Sequence, residues 1–212
     1  MRRRREPAPR GRWDRVGVIL AGGAGIRIGG SKAVVNLNGR PLISYPLEAM
    51  WRALGNVAIV AKIDTELPSV AGVTVWIEPD EPRHPLLGIV HALGLCDGRP
   101  LVVCPVDLPF VSSGLIRKLA EGASGPSPAV IAARAGRIQP LLGSYRPEAL
   151  APLSVALRRD ASVHEAVAAL DPVLHEVEDE DELFNVNSPD DLLQASAMFS
   201  RRRRPRYPNV KS

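Results

Sequence analysis

The sequence predicts an α/β domain of the doubly wound kind, and three observations carry that reading. Short apolar runs alternate with helix-period stripes along the body of the chain. The first run, Val16, Val18, Ile19 and Leu20, feeds a glycine-rich loop. A later run, Leu101–Cys104, is continuously apolar, as strands covered on both faces of a parallel sheet are. At 212 residues the chain is long enough for one domain with a substantial core.

The loop after the first strand is the most informative segment. Ala21-Gly22-Gly23-Ala24-Gly25-Ile26-Arg27-Ile28-Gly29-Gly30-Ser31-Lys32 carries five glycines, one Arg and one Lys. Glycine lets backbone N–H groups converge on an anion at close range, and Arg27 and Lys32 add positive charge. This chemistry is that of a polyphosphate cradle; a plain glycine turn is the simpler alternative. Two familiar phosphate motifs fit badly. Against the dinucleotide fingerprint the third glycine arrives one position late, and the acid about twenty residues on, Glu48, falls in a helical stripe. A P-loop needs Lys followed by Ser or Thr, whereas Ser31 precedes Lys32 and Ala33 follows it.

The remaining elements follow in order. Leu47, Met50, Trp51 and Leu54 form one helical stripe, ended by Gly55. Val57–Ala61 and Val73–Ile77 read as strands, and Ser113 is placed to cap a helix running through Leu119. Ala129–Ala133 and Leu141–Tyr145 flank the Ala135-Gly136-Arg137 turn and suggest a hairpin-like insertion. Ser162-Val163-His164-Glu165 is a capping box, and Ser188-Pro189-Asp190-Asp191 is an approximate one.

Three segments offer chemistry. Asp107 follows the Leu101–Cys104 run, at the strand end where open α/β sheets bind ligands. A carboxylate there suits Mg²⁺, which takes oxygen ligands and arrives with a nucleoside triphosphate. An Asp two residues before proline also stabilises turns, and the nearby glycine loop favours the metal. Asn187 precedes a helix start; it either lends its oxygen to a metal or phosphate or, with Ser188, caps that helix. Glu78-Pro79-Asp80 ends the third strand.

Leu20, Ala21, Gly22, Gly23, Arg27, Ile28, Gly29 and Lys32 match the signature L-A-G-G-x-x-x-R-[MI]-G-x-x-K. Gly39-Arg40-Pro41-Leu42 matches the G-x-P-L that follows it, and Val106-Asp107-Leu108-Pro109-Phe110 is similar to C-D-x-P-[FY]. Asn185 through Leu192 resembles N-x-N-T-P-E-D-L. Over residues 16–195 the chain thus resembles the molybdenum cofactor guanylyltransferase family of the NTP-transferase superfamily. The resemblance implies a three-layer α/β/α Rossmann-like nucleotidyltransferase fold with a mixed, mainly parallel sheet. It implies transfer of GMP from GTP to molybdenum-bearing molybdopterin, with release of pyrophosphate. It casts Leu20, Ala21, Gly22, Gly23, Lys32, Asp80 and Asp107 as nucleotide-binding, with Asp80 reading the guanine base. Arg27, Lys32 and Asp107 become the catalytic groups, and Asp107 with Asn187 the Mg²⁺ ligands. Transient contact with molybdoenzymes or cofactor-delivery proteins is also implied. Gln139, before Pro140, falls where the family has a polar residue facing the second substrate. The chain departs from the pattern at Ser31 (usually Asp), at Val60 (an Asn near the base) and at His84 (a Gly). Cytidylyl transfer, or transfer to another phosphorylated acceptor, is the alternative of the same chemistry.

Charge and composition bound the rest. The net charge is +4, yet residues 1–15 carry +5 and residues 201–212 carry +6, leaving about −7 on the body. Residues 1–15 and 200–212 therefore read as solvated basic tails around a domain at 16–199. They lack the interleaved aromatic residues of a nucleic-acid binder, so no nucleic-acid partner is expected. No run is long enough for a membrane span. Cys96 and Cys104 lack metal-ligand spacing and suggest buried thiols in a cytoplasmic protein. Arg134, Arg137, Arg146, Arg158 and Arg159 are candidates to meet an anionic pterin phosphate.

Overall fold

The computed structural model describes residues 15–22, 31–122 and 126–203. A seven-stranded sheet runs through it in the order β5-β4-β1-β6-β8-β7-β9. These strands are β1 (Val16–Leu20), β4 (Val57–Ala61), β5 (Thr74–Ile77), β6 (Leu101–Pro105), β7 (Ala129–Arg134), β8 (Arg137–Tyr145) and β9 (Val173–Glu176). Only β8 runs against its neighbours; the other pairings are parallel. The sheet is therefore mixed and mainly parallel, as the resemblance implied. A two-stranded ribbon, β2 (Asn36–Leu37) with β3 (Arg40–Pro41), stands apart.

The alternation of side chains along each strand sorts the core into two faces. Ile19, Ile59, Val102 and Cys104 point to the face covered by α1 (Ser44–Leu54) and α3 (Ser113–Gly122). Val16, Val18, Val60 and Val103 point to the other, covered by α2 (Pro85–Leu95), α4 (Leu150–Arg158) and α5 (Val163–Ala168). Helix, sheet and helix make the three layers. Gly55 ends α1 with φ 79°, in the left-handed region where glycine is favoured.

A third apolar cluster lies outside this sandwich and positions the site. Helix α6 (Pro189–Arg203) packs Ala195 and Met198 against Leu37, Leu42, Phe110 and Val186. Phe110 lies against Phe199 at 4.4 Å between centroids and meets Phe184 edge-on. This cluster seats the chain around Asn187 beside the turn that follows β6.

Several local expectations need correction. Ala129–Ala133 and Leu141–Tyr145 belong to β7 and β8 of the central sheet and form no insertion. The turn between them is only Ala135-Gly136, with φ 48° and 76°, the left-handed pair that tight hairpins require. The cap of α3 is Ser112, whose hydroxyl accepts from Leu115 N–H at 3.0 Å, one residue before the expected Ser113. Helix α6 continues through Arg203, and Arg202 pairs with Asp179 and Asp181 while lying over the Phe110 ring. Residues 1–14 and 204–212 lie outside the described residues.

Candidate active site

Strand β1 connects through α1 to β4 on one side, and the chain later returns to β6 on the other. The order reverses between β1 and β6, the switch point at which doubly wound sheets open a crevice beyond their carboxyl ends. Val106 N–H donates to the Leu20 carbonyl at 3.1 Å, and Ala21 N–H to that of Val60 at 2.8 Å. These bonds carry the alignment of the strands into the loops. A cleft of about 610 Å³ opens there, its wall including Leu20, Gly22, Lys32, Glu78 and Asp107.

One end of the cleft is a compact polar cluster. Lys32 Nζ donates to Asp107 Oδ2 at 2.7 Å and to Asn187 Oδ1 at 2.6 Å. The Lys32 and Asp107 side chains are 16% and 15% exposed, so solvent screens their pair less than a surface one. Val186 N–H donates to the Asp107 carbonyl at 2.9 Å, locking the two segments together. The other carboxylate oxygen, Asp107 Oδ1, is buried and has no hydrogen-bond partner among the described residues. Asn187 is held from behind. Its own N–H and that of Ser188 both donate to Asp191 Oδ2 at 2.9 Å, while Asp191 N–H donates to Ser188 Oγ. These bonds, the Asn187 N–H foremost, hold the Asp191 carboxyl below its usual range, and the Lys32 charge adds to the effect. Asp191 thus closes the helix cap.

The other end is built around Glu78, which is 7% exposed. Lys62 Nζ stands 3.6 Å from Glu78 Oε1 and donates to the carbonyls of Pro79 and Asp80 at 2.8 and 3.1 Å. A Cβ at Gly22 would stand 2.2 Å from Oε1, and one at Gly88 3.2 Å from Oε2. Glycine at both positions makes room for this carboxylate. Among the described residues the carboxylate makes no hydrogen bond; Lys62 is its ion-pair partner, and its remaining acceptor capacity faces the cleft.

The structure thus brings Lys32, Asp107 and Asn187 together, with Leu20 and Gly22 on the same cleft. Ala21 is buried in the core and presents only backbone nearby. Gly23 and Arg27 lie outside the described residues. The Asp80 side chain is exposed and outside the cleft wall, where the carboxylates are Asp64, Glu78 and Asp107. Lys62 and Glu78 were missed as a pair, although Glu78 directly follows a strand in the sequence. His84, at a family glycine position, caps α2: its Nδ1 accepts from Leu86 N–H at 3.1 Å. Ser31 ties its loop to the Glu66 carbonyl at 2.9 Å. Arg134 spends its guanidinium on Val177, Glu178 and Glu180, and neither it nor Arg137, Arg146, Arg158 or Arg159 lines the cleft. Leu141 does, two residues beyond Gln139. Among the described residues no three His, Cys, Asp or Glu side chains gather into a metal cage.

The family model for the MobA-like NTP transferase domain matches residues 17–173. The molybdenum cofactor guanylyltransferase of Cereibacter sphaeroides is 31% identical over 194 residues, covering 86% of this chain and 96% of its own. The chain belongs to the molybdenum cofactor guanylyltransferase family. Another guanylyltransferase of that family, from Rhizobium johnstonii, is also 31% identical, over 84% of this chain and 90% of its own. Among solved structures, molybdopterin-guanine dinucleotide biosynthesis protein A from Archaeoglobus fulgidus superposes with a TM-score of 0.76. It is 27% identical and covers 88% of this chain and 99% of its own. A nucleotidyl transferase from Methanothermobacter thermautotrophicus, 23% identical, shares the fold with a TM-score of 0.73 over 89% of this chain and 98% of its own. As a family member the protein is a nucleotidyltransferase with a role in molybdenum cofactor biosynthesis. No helix among the described residues is long and apolar enough to cross a membrane.

Proposed function

We propose that the protein transfers GMP from GTP to the phosphate of molybdenum-bearing molybdopterin in the cytoplasm, releasing pyrophosphate. The observation that carries this reading is the meeting of Lys32, Asp107 and Asn187 at the carboxyl ends of β1 and β6. An oxygen of the acceptor phosphate forms a bond to the α-phosphorus as the bond from that phosphorus to the oxygen bridging to the β-phosphorus breaks. Pyrophosphate departs with that electron pair. The chain contributes position and charge to this exchange. Lys32, with Arg27 in the loop, neutralises the departing pyrophosphate. Gly22 lets the backbone come close to the phosphates. No covalent nucleophile is needed. Burial, and secondarily the Asp107 charge, pushes the Cys104 thiol well up and keeps it protonated.

Mg²⁺ suits the donor set. It takes one or two protein oxygens and completes its shell with phosphate and water, and the Asp107 carboxylate keeps one oxygen, Oδ1, without a partner among the described residues. Asp107 and Asn187 are the residues that would hold it. When bound, it neutralises negative charge on the phosphates. At the far end of the cleft, Glu78 offers two acceptors and Lys62 a donor. Guanine alone among the four bases presents two adjacent donors, N1–H and the 2-amino group, beside a carbonyl acceptor. This pairing supports GTP as the donor, with Glu78 in the role first given to Asp80.

Pyrophosphate release from GTP, ATP, CTP and UTP, with and without molybdopterin, tests the reading. Release is expected from GTP and only with molybdopterin; release from CTP would mean cytidylyl transfer. Asp107→Ala should lower turnover on the order of 10³-fold or more while the melting temperature changes little. Near-wild-type turnover in that variant with Mg²⁺ overturns the assignment.

A further inference from the structure

The ammonium of Lys32 stands on one oxygen of each of the two residues proposed to hold a divalent cation. It lies 2.7 Å from Asp107 Oδ2 and 2.6 Å from Asn187 Oδ1. Asp107 Oδ1 is closed to solvent. Oδ2 is therefore the oxygen that an ion from solution meets first, and it is already taken. The charges matter as much as the contacts. Asp107 brings one negative charge, Asn187 none, and the Asp191 carboxylate is turned to the N–H groups of Asn187 and Ser188. With Lys32 in place the charge of Asp107 is matched, and the site offers a dication less attraction than the bare carboxylate would. A triphosphate changes this balance, because its several negative charges form stronger charge-assisted bonds with an ammonium than one shared carboxylate does.

From this arrangement we propose that Lys32 is a built-in counter-ion. It closes the Asp107–Asn187 site to free divalent cations until a nucleoside triphosphate draws the ammonium away. Cation and nucleotide then bind with positive coupling, each raising the affinity of the other by the same factor. The inference rests on the cleft being a nucleotide–cation site and adds a second task for Lys32, that of excluding a cation supplied alone. Such a plug keeps the carboxylate from holding a stray metal between turnovers.

Mn²⁺ titrations followed by electron paramagnetic resonance of the free ion provide the test, with no turnover involved. The full-length protein is titrated alone and with a GTP analogue carrying a methylene between the α- and β-phosphorus. Wild type should bind Mn²⁺ weakly alone and at least tenfold more tightly with the analogue. Lys32→Met should bind Mn²⁺ alone about tenfold or more tightly than wild type, the effect of releasing one charge-assisted bond, and its coupling to the analogue should shrink. Lys32→Gln, which keeps an amide donor but no charge, should behave likewise and serves if Lys32→Met does not fold. Equal Mn²⁺ affinities for wild type and either variant without nucleotide overturn the proposal. Should neither variant fold, absence of coupling in wild type overturns it. The underlying site reading fails separately: wild type would then take up no Mn²⁺ even with the analogue, or Asp107→Asn would bind it as wild type does.

Discussion

Replacing Glu78 by Gln probes the base end of the cleft with almost no change of shape. The carboxylate is 7% exposed, and among the described residues its polar neighbour is Lys62 at 3.6 Å. Two acceptors become one acceptor and one donor. For guanine this removes one charge-assisted hydrogen bond and sets an amide N–H against a base N–H. A bond to a charged group is worth about 1.5–3 kcal/mol, so GTP affinity should fall on the order of 10- to 150-fold. Stability should change by about 1 kcal/mol or less, because Lys62 keeps its bonds to Pro79 and Asp80 and the ion pair that is lost is a long one at 3.6 Å. Calorimetric titration with GTP and with inosine triphosphate separates the causes. Inosine lacks the 2-amino group, so wild type should prefer GTP about tenfold or more, and Glu78→Gln should bring that ratio close to one. An unchanged ratio in a folded variant would refute base reading by Glu78.

Two further outcomes follow from the packing and from the helix cap. Gly143→Ala would place a Cβ 2.6 Å from the Val130 carbonyl oxygen and 2.7 Å from Ile131 Cδ1, next to the bulge in β7. Overpacking of this kind costs about 1–3 kcal/mol, so scanning calorimetry should show a melting temperature lower by about 2–12 °C. The Asp191 carboxyl is held below its ordinary value of 3.8 in the folded chain, so its stabilisation is complete above that value and is lost as pH falls through the folded one. Urea denaturation should therefore find wild type more stable than Asp191→Asn at neutral pH, with the gap closing as pH falls below 3.8; a gap that stays constant rejects the cause.

What the sequence revealed was largely what is local or strongly periodic. The Leu47–Leu54 stripe, the Gly55 stop and the Ser162 capping box depend on neighbours within a few residues, and each formed where its pattern lies. Lys32, Asp107 and Asn187 were legible because each follows a recognisable strand, loop or helix signal. Their convergence is a property of the fold, which seats α6 on Phe110 and Val186. The failures have the same cause in reverse. Asp80 and Glu78 are two residues apart, and only the direction of the chain after β5 decides which carboxylate turns inward. Lys62 carried no motif at all; its ammonium matters because the sheet sets β4 beside β5. The β7–β8 hairpin was visible from its turn, but its place in the sheet, between β6 and β9, is set by partners far away in sequence.

The polar cluster also spans a great length of chain. Lys32 reaches across 75 residues to Asp107 and across 155 to Asn187. Closing loops of that size carries an entropic cost that only an assembled sheet and a seated final helix can offset. Without the sheet the ammonium and the carboxylate stay apart in water, and without the seated helix Asn187 is not held beside them. Competence for chemistry therefore arrives late, as a readout that the long-range topology is complete.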